Sequence, residues 1–297
     1  MTADEFASLV EVADELGLAH DRIPPVRRVA VDVAPGQQVS VLTWGDGDPE
    51  LVFLHGGGQN AHTWDLVALW LGRPALAIDL PGHGHSSWRD DRDYGPAHNA
   101  LAVASVVERF APDAAGVVGM SLGGLTTIRL AATRPDLVRR AILVDVTPGS
   151  PENAARMSER QRGAVALTSG PRTFASREEM VAAAVRASPR RPSTAVRRGV
   201  VHNTRQLPDG AWAWRYDRLG GGLSDVTAAL WDDLGSLTMP TMLVKGGASD
   251  FVAGTDLAEA RRRLPSLRVE VVDDAGHSVQ SDRPTVLGAL IREFALG

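Results

Sequence analysis

The chain has 297 residues, 44% hydrophobic and 23% charged, with 36 acidic against 31 basic side chains for a formal charge of -5. That length suits one large α/β unit or two small domains, and so mild an acidity leaves no electrostatic footprint for nucleic acid or an anionic membrane. With no cysteine, disulfides, thiolate chemistry and Cys-ligated zinc are excluded. The N-terminal stretch is acidic and lacks the basic start and apolar core of a signal peptide. No apolar run approaches the roughly 20 residues of a membrane span, so a cytoplasmic enzyme without membrane insertion is expected.

Phe6, Leu9, Val10, Ala13 and Leu16 recur at helical spacing and predict one amphipathic helix over 1–24, ended by Pro24 and Pro25 and packed on the main body. Its acidic face would be repelled by anionic lipid. The β-rich runs 26–33 and 38–43, parted by Pro35-Gly36, predict a hairpin. Apolar strands are expected at 51–54, 75–79, 115–119 and 140–144, alternating with helices at 64–71, 97–110 and 122–133. Residues 148–223 hold polar helical segments, prolines and an Arg-rich stretch at 186–198 but no strand pattern, which predicts a helical cap. Alternation then resumes: strand 241–244, helix 255–264, strand 268–272 and a last helix over 284–296. Strands alternating with helices imply a mostly parallel sheet covered on both faces. The expected layout is an N-terminal extension (1–25), an α/β core (26–147 and 224–297) and the cap (148–223).

Gly119-Met120-Ser121-Leu122-Gly123 is a G-x-S-x-G pattern with a strand feeding into it and a helix leaving it. That strand–turn–helix context marks the nucleophile elbow of an α/β-hydrolase fold. The competing reading is an ordinary βα turn in which the serine caps a helix, and the context argues against it. A serine hydroxyl is a poor nucleophile until a base takes its proton. His277, in Asp274-Ala275-Gly276-His277-Ser278 after the last predicted strand, stands where this fold carries its base. His20 and His202 lie in polar segments, and His62 and His98 near helix starts suit structural roles. His83 and His85 imitate an H-x-H metal pair without a matching ligand cluster, so a loop role is expected of them rather than metal binding.

His55-Gly56-Gly57-Gly58 follows the buried strand 51–54. Acyl transfer generates an oxyanion that needs backbone N–H donors already aimed at it, and glycines allow that close approach. The amide of Leu122 is one candidate donor, Gly57 the other, with Gly58 second to it, while His55 shapes the loop. The acid that orients the imidazole is open between two residues. Asp250 follows strand 241–244 and Asp145 ends strand 140–144, both at the same sheet edge as Ser121. In the cap and just after it, Trp212, Trp214 and Trp231 are candidates to line an acyl pocket, against a cap-to-core packing role. The arginines of 186–198 read either as a lure for an anionic substrate or as a solvated helical face, the latter preferred.

The blocks FLHGGGQNAHTW, DLPGHGHS, GMSLGG, VDVTP and GHSVQSD, with WRYD at Trp214–Asp217, together resemble α/β-hydrolase-fold serine esterases over about residues 26–290. They are especially similar to an actinobacterial group that includes a mycobacterial hydrolase of short- to medium-chain acyl esters. The resemblance implies cofactor-free hydrolysis of a small-molecule ester under a mobile cap. It also implies that Asp145 rivals Asp250, because the position matching Asp250 in that mycobacterial relative is not acidic while the Asp145 match is present. Lactonase, thioesterase, C–C bond hydrolase and cofactor-free haloperoxidase activities share this triad, and a ligand-binding receptor with little turnover shares the fold.

Overall fold

The centre of the molecule is built from strands whose sequences are nearly unbroken apolar runs. In the computed structural model, which describes residues 5–189, 191–218 and 227–297, these are β3 (Leu51–Leu54), β4 (Ala75–Asp79), β5 (Gly116–Met120) and β6 (Ala141–Val144), every residue buried. Strands covered on both faces need apolar residues on both. Alternate residues accordingly enter different cores. Val52, Leu54, Val117, Ala141 and Leu143 join one cluster; Leu51, Phe53, Val118, Ile142 and Val144 join the other.

The hairpin forms as β1 (Val26–Ala34) and β2 (Gln37–Trp44), antiparallel from Val26 opposite Trp44, and turns at Gly36 with φ 70°. With β10 (Thr241–Gly246) and β11 (Arg268–Val272) the sheet runs β1-β2-β4-β3-β5-β6-β10-β11, parallel from β4 onward. Helices α3 (Pro96–Phe110), α4 (Leu122–Thr133), α9 (Thr227–Ser236) and α10 (Gly254–Arg263) cover the first core. Helices α1 (Leu9–Leu16), α2 (Asp65–Leu71) and α12 (Pro284–Ile291) cover the second, with the short α11 (Val279–Asp282) leading into α12. This is the α/β-hydrolase fold, and none of the described helices is long and apolar enough to cross a membrane.

Two predicted elements are shorter than expected. The N-terminal helix occupies only Leu9–Leu16, because Gly17 adopts φ 64° and its N–H caps the carbonyls of Ala13 and Asp14; residues 1–4 lie outside the described residues. The last α-helix ends at Ile291 and continues as a π-helical turn through Leu296.

The cap departs further from expectation. It contains α5 (Ser150–Arg156), α6 (Glu159–Arg162), α7 (Arg177–Ala187) and α8 (Ser193–His202), as a helical insertion should. It also contains a small antiparallel sheet, β7 (Thr173–Phe174), β8 (Thr204–Gln206) and β9 (Trp212–Trp214), in the order β7-β9-β8. Strands of two or three residues are too short to display the two-residue alternation that reveals a strand. The expected boundary between cap and core near 223 lies outside the described residues. Met180, Ala184, Val196, Val200 and Trp214 give the cap its own apolar cluster.

Candidate active site

Ser121 stands between β5 and α4 with φ 50° and ψ -116°, a conformation that L residues seldom adopt and that local packing must enforce. The glycines around it allow that packing. A Cβ on Gly119 would lie 2.3 Å from the Gly123 carbonyl oxygen, and one on Gly123 would lie 2.3 Å from the Leu54 oxygen. The elbow is therefore pressed against β3 and its own helix, with no room for side chains. Leu122 opens α4, so its amide is among the helix-start donors without an intrahelical acceptor.

His277 lies in the loop after β11. Its Nδ1 is 2.8 Å from Oδ2 of Asp145, whose side chain is fully buried. Asp145 follows β6 with φ 49°. Its Oδ1 accepts the Gly246 amide at 2.9 Å, and its Oδ2 also accepts the Ser249 hydroxyl. Phe251 stacks on the imidazole, centroids 3.5 Å apart and 9° from parallel. With Nδ1 donating to Asp145, Nε2 carries the lone pair, and this buried atom has no partner among the described residues. Of the two candidate acids, Asp145 is the one in contact with the imidazole. Asp250 is exposed and accepts Gln161 Nε2 at 3.4 Å, because the turn closing Ser249 N–H onto the Gly246 carbonyl brings Ser249 inward instead.

The glycine loop after β3 is held at several points. His55 is buried; its Nδ1 contacts the Gly56 carbonyl at 2.8 Å and its Nε2 accepts the Leu80 amide at 2.9 Å. Burial, helped by the neighbouring His83, depresses its pKa to about 3, so it is a neutral hydrogen-bonding strut. The Gly56 amide is taken by Gln59 Oε1 at 3.1 Å. A Cβ on Gly56 would lie 3.2 Å from that of Ser121, which brings the loop beside the serine. Asn203, just past α8 in the cap, donates Nδ2 to the Gly58 carbonyl at 2.7 Å and accepts Asn60 Nδ2 at 3.3 Å. Thr168 also approaches from the cap: a Cβ on Gly58, where φ is 73°, would sit 2.5 Å from its methyl. Neither Asn203 nor Ser249 carries a sequence signal, since each acts on a segment distant in the chain.

Gly57, Gly58 and His277 line a cavity of about 530 Å³ between core and cap. Of the three candidate tryptophans, only Trp214 is in its wall, stacked on Tyr216 at 5.8 Å. Trp212 lies under the Arg177 guanidinium at 4.1 Å, and Trp231 packs against the core beside Arg263. Those two are corrected to packing residues.

One trio in this wall has its ligand atoms within 4.8 Å of one another, His62, Asp65 and His202. As arranged it is an ion-pair network rather than a metal centre. His62 Nδ1 meets Asp65 at 2.8 Å and Nε2 meets Glu5 at 3.0 Å, leaving no ring lone pair. Burial alone would lower its pKa, but Asp65 and Glu5 outweigh burial and raise it to about 9. His202 stacks on it at 3.8 Å and is depressed to about 4, by burial and then by the His62 charge.

The chain resembles known hydrolases along most of its length. A family model described as the alpha/beta hydrolase family matches residues 51–289. Esterase Rv0045c of Mycobacterium tuberculosis is 49% identical over 290 residues, 97% of this chain and 95% of that protein. A solved structure of that esterase superposes with a TM-score of 0.87, covering 99% of each chain. The 2-(acetamidomethylene)succinate hydrolase of Mesorhizobium japonicum is 28% identical, over 83% of this chain and 87% of that one. With elbow, buried aspartate–histidine pair and glycine loop all on one sheet edge, the chain belongs to the alpha/beta hydrolase family and is closely related to the mycobacterial Rv0045c esterase.

Proposed function

We propose that the protein is a serine carboxylesterase acting on small acyl esters. The observation that carries this reading is His277, pinned through Nδ1 to the buried Asp145 with a free, buried Nε2 on the edge that bears the Ser121 elbow. In this mechanism Nε2 takes the Ser121 proton as Oγ attacks the ester carbonyl. Asp145 holds the tautomer and stabilises the imidazolium without itself taking a proton. The tetrahedral oxyanion is met by the amides of Leu122 and Gly57, and losing one such donor typically costs about 10²–10³ in rate. The imidazolium then protonates the departing alcohol, leaving an acyl group on Ser121. Water, deprotonated by the same Nε2, attacks the acyl-enzyme and releases the acid.

The esterase relatives and the size of the cavity support small esters as substrates. The test is covalent. A fluorophosphonate probe is expected to add one phosphonyl group to wild-type protein at Ser121 and none to Ser121→Ala. An unlabelled wild type that also leaves p-nitrophenyl esters intact would overturn the proposal.

A further inference from the structure

The arginines of the cap do not form one solvated face. Arg197 pairs with Glu178 at 3.6 Å on the outside, and Arg198 pairs with Glu15 of α1 at 2.7 Å. Arg191, in the connection from α7 to α8, differs from both. It is half-buried in the wall of the active-site cavity and makes no ion pair or side-chain hydrogen bond among the described residues. Two residues of α6, Arg160 and Arg162, line the same cavity without ion pairs among the described residues, and the Arg162 Nε is buried with no partner.

None of the carboxylates in that wall makes an ion pair with Arg191 among the described residues. Asp65 bridges His62, Asp250 accepts from Gln161, and Asp282 accepts the Gly276 amide at 2.8 Å. Burial lowers the pKa of Arg191 despite the attraction of Asp282 and Glu15, and Arg198 adds repulsion. A guanidinium partly removed from water with no carboxylate in direct contact is an unfavourable arrangement unless an anion completes it. Guanidinium is also the side chain best matched to a carboxylate, through paired N–H donors.

We infer that the cavity takes esters carrying a second, anionic group, a carboxylate in the simplest case, and that Arg191 holds that group while the ester lies at Ser121. This rests on the esterase reading and narrows its substrate class from small esters to half-esters of dicarboxylic acids and their like. Arg162 is the supporting cation. The neutral acyl chain between the two ends needs only the apolar part of the cavity, where Trp214 and Leu167 stand.

The experiment compares two p-nitrophenyl esters of equal acyl length, hexanoate and hydrogen adipate, with the uncatalysed rate of each subtracted. The ratio of kcat/KM, adipate over hexanoate, is expected to exceed about ten in wild type, the size of one charge-assisted hydrogen bond. Arg191→Met should lower that ratio about tenfold through KM, while Arg191→Lys keeps part of it. A ratio at or below one in wild type, or one unchanged by Arg191→Met in folded protein, overturns the inference while leaving the esterase reading intact. Hydrolysis of neither ester overturns both.

Discussion

The two walls of the active-site cavity are made by different means. On the core side, Ser121 and Asp145 sit at strand ends with positive φ. Ser121 is held by glycines with no space for a Cβ, and Asp145 by an amide and a hydroxyl on its carboxylate. On the cap side, the wall is set by side chains reaching across a gap: Asn203 to the Gly58 carbonyl, Thr168 onto Gly58, and Arg191 with no protein partner among the described residues. A backbone-built wall fixes positions to fractions of an ångström, as chemistry requires. A side-chain wall can be rebuilt without disturbing the sheet, as a change of substrate requires. Core substitutions should therefore abolish turnover, and cap substitutions should retune it.

The sharpest test removes the nucleophile. Ser121→Ala is expected to lower kcat by at least about 10⁴ at an unchanged melting temperature, and residual activity within tenfold of wild type would break the comparison at its strongest point. Next is the acid. Asp145→Asn should cost about 10³–10⁴ in kcat by releasing the imidazole from its tautomer, whereas Asp250→Asn should stay within about twofold on a neutral ester. If the two variants exchanged these effects in steady-state assays, the core wall would have been misread.

Smaller effects belong to the seam between the walls. Asn203→Ala removes one donor from the carbonyl of the glycine loop and is expected to lower kcat about tenfold with little change in KM. Asn203→Asp, which cannot donate to that carbonyl, should do no better. A rise in KM alone would assign Asn203 to substrate contact instead. Smallest is the pH effect at His62, which faces Glu5, Asp65 and His202, with Arg28 close by. Its pKa is raised in the folded protein to about 9, so the stability it contributes is complete below the unfolded value near 6.5 and is lost as pH rises through about 9. Melting temperature should thus fall across that window in wild type, and the fall should be shallower in His62→Gln.

What the amino-acid order revealed follows the same division. The elbow was legible because it is local: strand, five-residue turn and helix are contiguous from Gly116 to Thr133. His277 was legible because the loop after the last strand has only one histidine. The choice between Asp145 and Asp250 was not, because β6 and β10 are parallel neighbours and each delivers an aspartate to the same edge. The difference lies in the four-residue turn Gly246–Ser249 and the residue after it, where Ser249 faces inward and Asp250 outward. In the cap, β7, β8 and β9 are too short to carry a period, and Trp212 and Trp231 differ from Trp214 only in what packs on them.

The stacking of Phe251 on His277 also bears on the reaction's choreography. Within one turnover the imidazole passes a proton between serine and the departing alcohol, then between water and serine, so the same nitrogen must address different oxygens in succession. With Phe251 lying parallel against one face at 3.5 Å and Asp145 gripping one edge, rolling the ring over between these transfers would break both contacts. A small sway within its own plane, pivoting on the aspartate like a gate on a single hinge, would keep both. Each successive oxygen has to come to the arc that this gate sweeps.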